Sequence, residues 1–261
     1  MQSTCLLLMC LRGEYARPDC AIFSDTGWEP RGVYEHLERL QRECKKEGLP
    51  LHVVSAGNIK EDTTAFIKNE KGRLAAPPFF TDAGEGGAPL VRQCTKEYKI
   101  NPIITKVRSL VGVKPKVRVI GKRVEQWFGI SLDEAQRMKD SHLKWIQNVY
   151  PLVDMRMDRH NCQQWLTRNG WGETPKSACI GCPYHRNAMW RDMKINHPDE
   201  FADAVAFDHY VRSKGNYPRA RGKVYLHRSL IPLDEVDFSN EEDRGQMGFS
   251  FLDECEGMCG V

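Results

Sequence analysis

The sequence predicts an α/β protein: a doubly wound, mostly parallel sheet within residues 1–150, followed over 151–261 by a helical, cysteine-rich subdomain that ends in a mobile tail. Three observations carry this. Helical and extended apolar patterns alternate through the first half, as they do when helices cover the faces of a parallel sheet. Two extended runs, "AIFSDTG" and "LHVVSAG", stop at small residues, the punctuation of a strand turning at a sheet rim. After Asp158 short helical patterns replace the alternation and surround a cysteine-bearing loop.

Taken in order, the apolar run from Thr4 to Arg12 suits a buried helix with Ser3 or Thr4 as its N-cap. "DCAIFSDTG" is a strand closed by the turn Asp25-Thr26-Gly27. Pro30 stands where a first helical residue tolerates proline, and Val33, Tyr34, Leu37 and Leu40 follow at helical spacing. "LHVVSAG" is the next strand, ended by Gly57. Asn101-Pro102 predicts a cap and first turn leading Ile103, Ile104, Val107 and Leu110. "VEQWFGIS" is a further strand, and a helix from Leu132 places Glu134 and Arg137 three apart, so that they pair. "DRHNCQQWLTRNG" and "PDEFADAVAFDHYVRS" are the later helices, and the chain past Pro232 is acidic and weakly periodic. No repeat and no low-complexity tract interrupts this order.

Composition sets bounds. The formal net charge of +3, with 28% charged residues, argues for a nucleic-acid surface only if basic residues cluster. The short stretch "YPRARGK" at 217–223 reads as a solvated loop. No run of eighteen apolar residues marks a membrane span, and "CLLLMCL" has neither the length nor the basic flank of a secretory signal. A cytoplasmic protein without a membrane partner is expected, in which ten cysteines serve as metal ligands, reactive thiols or buried apolar residues.

In open α/β sheets ligands gather beyond the carboxyl ends of the strands. Ser24–Gly27, Ser55–Gly57 and Gly129–Ser131 would share that rim and suit a nucleotide or other polar ligand. Each turn taken alone is also explained by small residues bending the chain. Asp25 suits either orientation of a ribose or metal-bound water, or capping of its own turn.

The chain resembles the phosphoadenosine phosphosulfate reductase-like family. The residues that carry the resemblance are "SDTGWEPRGVY", "RQCTKEYKINPI", "GISLDEAQRMK", "YPL", "SACIGCPYH" and the terminal "ECEGMCGV", in that order over nearly the whole length. The resemblance implies the adenine nucleotide α-hydrolase fold, whose first strand runs into a Ser-x-Gly-Gly-x-x-Ser-Thr loop that wraps phosphate. Glycines let backbone N–H groups approach the anion, and the following helix offers its positive end. Only Ser3-Thr4 of that loop stand here, after Gln2. A mis-set start, with the first strand and phosphate loop encoded upstream of Met1, is therefore expected; a natural deletion is the rival, and the upstream DNA in frame decides. Lys99 and Arg92 match positions near the nucleotide phosphates. ATP or an adenylyl sulfonucleotide, with magnesium, is the implied substrate. A thiol on the tail would reduce the sulfonucleotide, fed by a thioredoxin-like or ferredoxin-like donor. Alternatively, ATP would activate DNA or tRNA for sulfur transfer, supplied by a cysteine desulfurase. A catalytically inert, zinc-stabilised binding module is the reading from another class.

Metal ligation needs thiolates drawn from separate segments, and Cys179-x-x-Cys182 supplies two, with Gly181 easing the bend. The cluster-bearing branch of the family shows a Cys-Cys pair well before this turn. Here Cys94-Thr95 stands at the corresponding interval, and Cys162 is the candidate for the missing ligand. The resemblance thus implies a four-iron, four-sulfur cluster on Cys94, Cys162, Cys179 and Cys182. Zinc on Cys179, Cys182, Cys255 and Cys259 is the alternative. The family's tail nucleophile maps to Cys259, with Cys255 as resolving thiol or ligand, although two cysteines and no terminal histidine depart from the pattern. Cys5, Cys10, Cys20 and Cys44 are expected in the core. His185 is read as a supporting or surface residue, and Trp127, Trp145, Trp165 and Trp190 as packing.

Overall fold

The computed structural model describes residues 1–69, 77–83, 88–114, 117–121, 123–213, 217, 220 and 222–239. The protein is mixed α/β. Its elements are α1 (Gln2–Leu11), β1 (Ala21–Asp25), α2 (Arg31–Lys46), β2 (Leu51–Ser55), α3 (Ile59–Asn69), β3 (Phe80–Thr81), β4 (Ala88–Pro89), α4 (Asn101–Leu110) and β5 (Val124–Trp127). They continue as β6 (Ile146–Val149), α5 (Pro151–Asp154), α6 (Arg159–Arg168), α7 (Asn187–Asn196), α8 (Pro198–Ser213) and β7 (Val224–Tyr225). β1 pairs with β2, β5 runs parallel to β6, and β3 lies antiparallel between β4 and β7. No helix among the described residues is long and apolar enough to cross a membrane.

The chain forms two compact units assembled from alternating stretches, so no single position, residue 150 included, divides them. The first comprises Met1–Phe23, Arg31–Val54 and Ile103–Ser177. Its core gathers Cys5, Leu6, Leu8, Met9, Cys10 and Leu11 of α1 with Cys44, Leu49, Leu152, Cys162, Leu166 and Trp171. A helix apolar on every side is one that must be buried, and α1 packs on both α5 and α6. The sequence marks the ends of α6 clearly. Asp158 and Asn161 form a reciprocal capping box. Gly170, at φ 74°, then lets the Trp171 N–H turn back to the Leu166 carbonyl at 2.9 Å.

Several elements of this unit differ from expectation. α1 starts at Gln2, so Ser3 and Thr4 lie inside its first turn and neither is the cap. Ser3 is held by close packing instead: a Cβ on Gly129 would come within 3.0 Å of the Ser3 backbone. The segment Leu132–Arg137 is a 3-10 turn rather than a helix, broken at Glu134 (φ −112°, ψ 16°). Glu134 turns inward, accepting from Gln2 Nε2 at 2.6 Å and pairing with Arg137 at 2.7 Å, the pairing its spacing predicts. β6, in "WIQNV", carries no strong alternation and is not expected from sequence.

Thr4 Oγ1 lies 3.0 Å from His36 Nε2, whose ring edge meets Trp171 while Arg39 stacks on that indole at 3.8 Å. Burial, reinforced by neighbouring positive charge, pushes the His36 pKa down to about 4. Its folded value lies below the ordinary 6.5, so the unfolded chain takes up the proton first. The stability from neutral His36 is whole above pH 6.5 and is lost as pH falls toward 4. His36→Gln is expected to flatten the pH dependence of the urea midpoint in that window by on the order of 2 kcal/mol. An unchanged pH profile would remove His36 from the account.

The second unit comprises Ser24–Pro30, Ser55–Pro102 and the chain from Ala178 onward. Trp28, Ile59, Phe79, Tyr98, Trp190, Phe201, Phe207, Val211, Leu226 and Leu233 make its core. α8 packs on α7, α3 and β7. Its buried Asp208 accepts from the Leu226 N–H at 2.9 Å and the Leu233 N–H at 3.1 Å, and pairs with Arg212 at 2.5 Å. A buried carboxylate is tolerated when its lone pairs are filled in this way.

Asn101 is not a cap. The coil begins earlier, in a π-helical turn over Thr95–Ile100 that runs straight into α4. Pro102 explains the irregularity: a regular helix would direct the N–H of residue 102 to the Tyr98 carbonyl, and proline has none. The Asn101 N–H reaches back to Lys96 instead, and the Tyr98 carbonyl accepts the Ser24 hydroxyl at 2.6 Å.

Candidate functional site

The second unit brings the Asp25-Thr26-Gly27 turn and the Cys179-x-x-Cys182 turn together. Asp25 Oδ1 accepts from the Gly27 N–H at 2.8 Å, capping its turn as one of its two expected roles requires. Asn58 fixes the neighbouring Ser55–Gly57 turn to the same place. Its amide donates to the Gly27 carbonyl at 2.8 Å, and its carbonyl oxygen caps α3 through the Lys60 and Glu61 N–H groups at 3.0 and 3.1 Å. The Ile59 N–H donates to the Thr26 carbonyl at 2.9 Å. Ser55 Oγ accepts from the Gly57 N–H at 3.1 Å.

Trp28 clamps the cysteine turn. Its carbonyl accepts from the Ile180 N–H at 2.8 Å, and its ring covers Gly181 so closely that a Cβ there would fall within 3.0 Å of the indole. The indole N–H donates to Asp203 Oδ2 at 2.7 Å; Asp203 also pairs with Lys60, whose ammonium lies over the Trp28 ring. Within the turn the Cys182 N–H meets the Cys179 carbonyl at 3.0 Å. His185 is buried, with Nε2 2.9 Å and 3.1 Å from the carbonyls of Cys179 and Ile180 and its ring edge on Trp190. Carbonyls only accept, so this nitrogen carries the proton.

Polar groups line up beside Cys179. Its Sγ lies 3.1 Å from Thr26 Oγ1, and that hydroxyl donates to Glu29 Oε1 at 3.0 Å. Thr26 has one proton to give and Glu29 takes it, so the Cys179 S–H is the donor to Thr26. Lys99 Nζ stands 3.8 Å from Glu29, whose side chain is fully buried. Burial, then the Glu29 carboxylate, pushes the Cys179 thiol up to about 12; Lys99 opposes this and the nearby Cys94 adds to it. Burial, then Asp62, likewise raises the Tyr98 phenol, which donates to Asp62 Oδ2 at 2.7 Å.

Of the residues singled out from sequence, Asp25, Thr26, Gly27, Ser55, Gly57, Arg92, Lys99, Cys94, Cys179 and Cys182 all belong to this unit. Arg92 lies over the Tyr184 ring at 5.5 Å. Ser3, Thr4 and Cys162 belong to the first unit. Cys162 is fully buried in that unit's core and shares a thiol hydrogen bond with Cys5. Cys255 and Cys259 lie outside the described residues. Among the described residues no three His, Cys, Asp or Glu side chains converge on one metal-sized point. Sequence reasoning passed over Trp28, Glu29 and Asn58. The signal available was an aromatic and an acid directly behind a strand-end turn, where a surface loop has no need of either. Family models, curated proteins and solved structures were all searched, and none matches this chain.

Proposed function

We propose that the protein carries out adenine-nucleotide-dependent sulfur chemistry on a doubly wound α/β scaffold, with the second unit holding a thiolate-ligated metal centre next to its nucleotide turn. The observation that carries this reading is the 3.1 Å contact between Cys179 Sγ and Thr26 Oγ1. It joins the thiol pair to the strand-end turn expected to hold a polar ligand. Arg92 and Lys99 are the cations offered to phosphate.

The donor set suits a thiophilic centre, an iron-sulfur cluster in this reading and zinc in its alternative. Cys94, Cys179 and Cys182 are carried by one unit, and Cys255 and Cys259 of the zinc alternative lie outside the described residues. Bound there, the group would supply redox capacity or a sulfur-binding site. The chain's own part concerns the proton. A thiol pushed up to about 12 is a poor free nucleophile at neutral pH and becomes a ligand by giving up its proton. Thr26 Oγ1 accepts that proton and passes its own to Glu29 Oε1, so the negative charge leaves the carboxylate as it arrives on sulfur.

Anaerobic purification followed by iron, acid-labile sulfide and zinc analysis tests the reading. Iron and sulfide are expected together in the wild type and lost in Cys179→Ser, while Cys44→Ser retains them. Zinc at one equivalent without sulfide would replace the cluster by the structural-zinc alternative, and absence of any metal would refute the centre. Pyrophosphate release from ATP or sulfite release from an adenylyl sulfonucleotide then distinguishes the two chemistries.

A further inference from the structure

A second feature lies in the first unit and stands independently of the sulfur chemistry. Between Asn101 and Val124 the chain carries seven basic residues, Lys106, Arg108, Lys114, Lys116, Arg118, Lys122 and Arg123, and no acidic one. The whole chain's excess is only +3, so everything outside this stretch is net acidic. Such segregation is the clustering that a mild overall charge fails to reveal.

The stretch is anchored at its base. α4 ends with the Gly112 N–H on the Ser109 carbonyl at 3.0 Å and the Val113 N–H on the Arg108 carbonyl at 2.9 Å. The Arg108 guanidinium then reaches forward to the carbonyls of Lys114, at 3.0 Å, and Val117. Beyond that clamp Lys114, Arg118 and Arg123 are exposed. Leu110, Val117 and Ile120 are exposed as well, at 47%, 53% and 78%. An anchored arm that shows both cations and uncovered apolar side chains is suited to being covered by an anionic partner.

We propose that this arm, through its exposed Lys114, Arg118 and Arg123, is a docking surface for the sugar-phosphate backbone of duplex DNA. Lys114, Arg118 and Arg123 offer three exposed cations with no acidic residue between them in the sequence, a charge pattern suited to phosphates. No aromatic residue stands between Tyr98 and Trp127. The arm therefore lacks both the stacking platform that favours single strands and the interfacial Trp or Tyr that anchors a protein on a bilayer. Recognition is of backbone charge, independent of sequence.

Fluorescence anisotropy with a mixed-sequence duplex of about twenty base pairs tests the proposal, using the full chain at low salt. Binding is expected near the micromolar range, weakening steeply as salt rises. The triple variant Lys114→Gln/Arg118→Gln/Arg123→Gln is expected to bind at least tenfold more weakly, with the log–log salt slope reduced by about 2 to 3. Unchanged thermal unfolding would show that the variant is folded. Equal duplex binding by wild type and variant would overturn the proposal. So would tighter binding to a single strand of the same length, or binding to phosphatidylserine vesicles but not to the duplex.

Discussion

Gly181→Ala is expected to lower the unfolding free energy by about 2 to 3 kcal/mol. The added methyl has no room, because the six-membered ring of Trp28 lies where it would go. Trp28 cannot step aside cheaply: its indole N–H is bonded to Asp203, its ring packs edge to face on Phe207 at 4.7 Å, and its carbonyl holds Ile180. Trp28→Ala alone is expected to cost about 3 to 5 kcal/mol, as large-to-small changes in a core do. The double variant should cost little more than Trp28→Ala, because trimming the ring makes space for the methyl. Urea unfolding of the four proteins measures the coupling. Strict additivity would mean that the ring and the cysteine turn do not press on one another. Metal content read on the same samples should fall in Gly181→Ala, since the turn that spaces the two thiols is displaced.

Lys99→Met is expected to destabilise the protein by about 3 kcal/mol. The Glu29 side chain is fully buried and that of Lys99 is 18% exposed, so the solvent available to take over from the ammonium is limited. Breaking a buried pair from one side costs far more than removing it whole. Glu29→Gln/Lys99→Met should therefore be more stable than Lys99→Met alone, even though it carries one more substitution. Denaturant midpoints decide: a double variant less stable than both single ones would show that the pair itself is the stabilising unit. Under the proposed function, loss of Lys99 also weakens adenine-nucleotide binding and Lys99→Arg restores part of it.

Local pattern was enough where one element makes its own case. Val33 and Leu37 place the buried face of α2, and the Asp158 capping box opens α6 where the sequence says a helix starts. Pattern failed where a distant partner decides. Leu132–Arg137 has helical composition, yet burial of Glu134 against Gln2 tightens and breaks it. Asn101-Pro102 looks like a beginning, but the same proline sits within a longer coil because Ser24 takes up the carbonyl it leaves without a donor. The site divides similarly. The Thr26 turn and the Cys179 turn were legible as separate motifs; their meeting was not, since Trp28 and Gly181 lie far apart in sequence and nothing local records that one ring fills the space the other leaves.

The π-helical turn leading into α4 leaves a mark on Cys94, which directly precedes it. Such a turn holds one residue more than an α-helical one. Because Pro102 keeps the turn irregular, deleting a single position between Thr95 and Ile100 would not be absorbed and would rotate Cys94 by about 100° around the axis of the turn, the angle each α-helical residue spans. The azimuth of Cys94 thus depends on residue count rather than on residue type. A homologue shorter by one there would aim its cysteine elsewhere, however similar its letters.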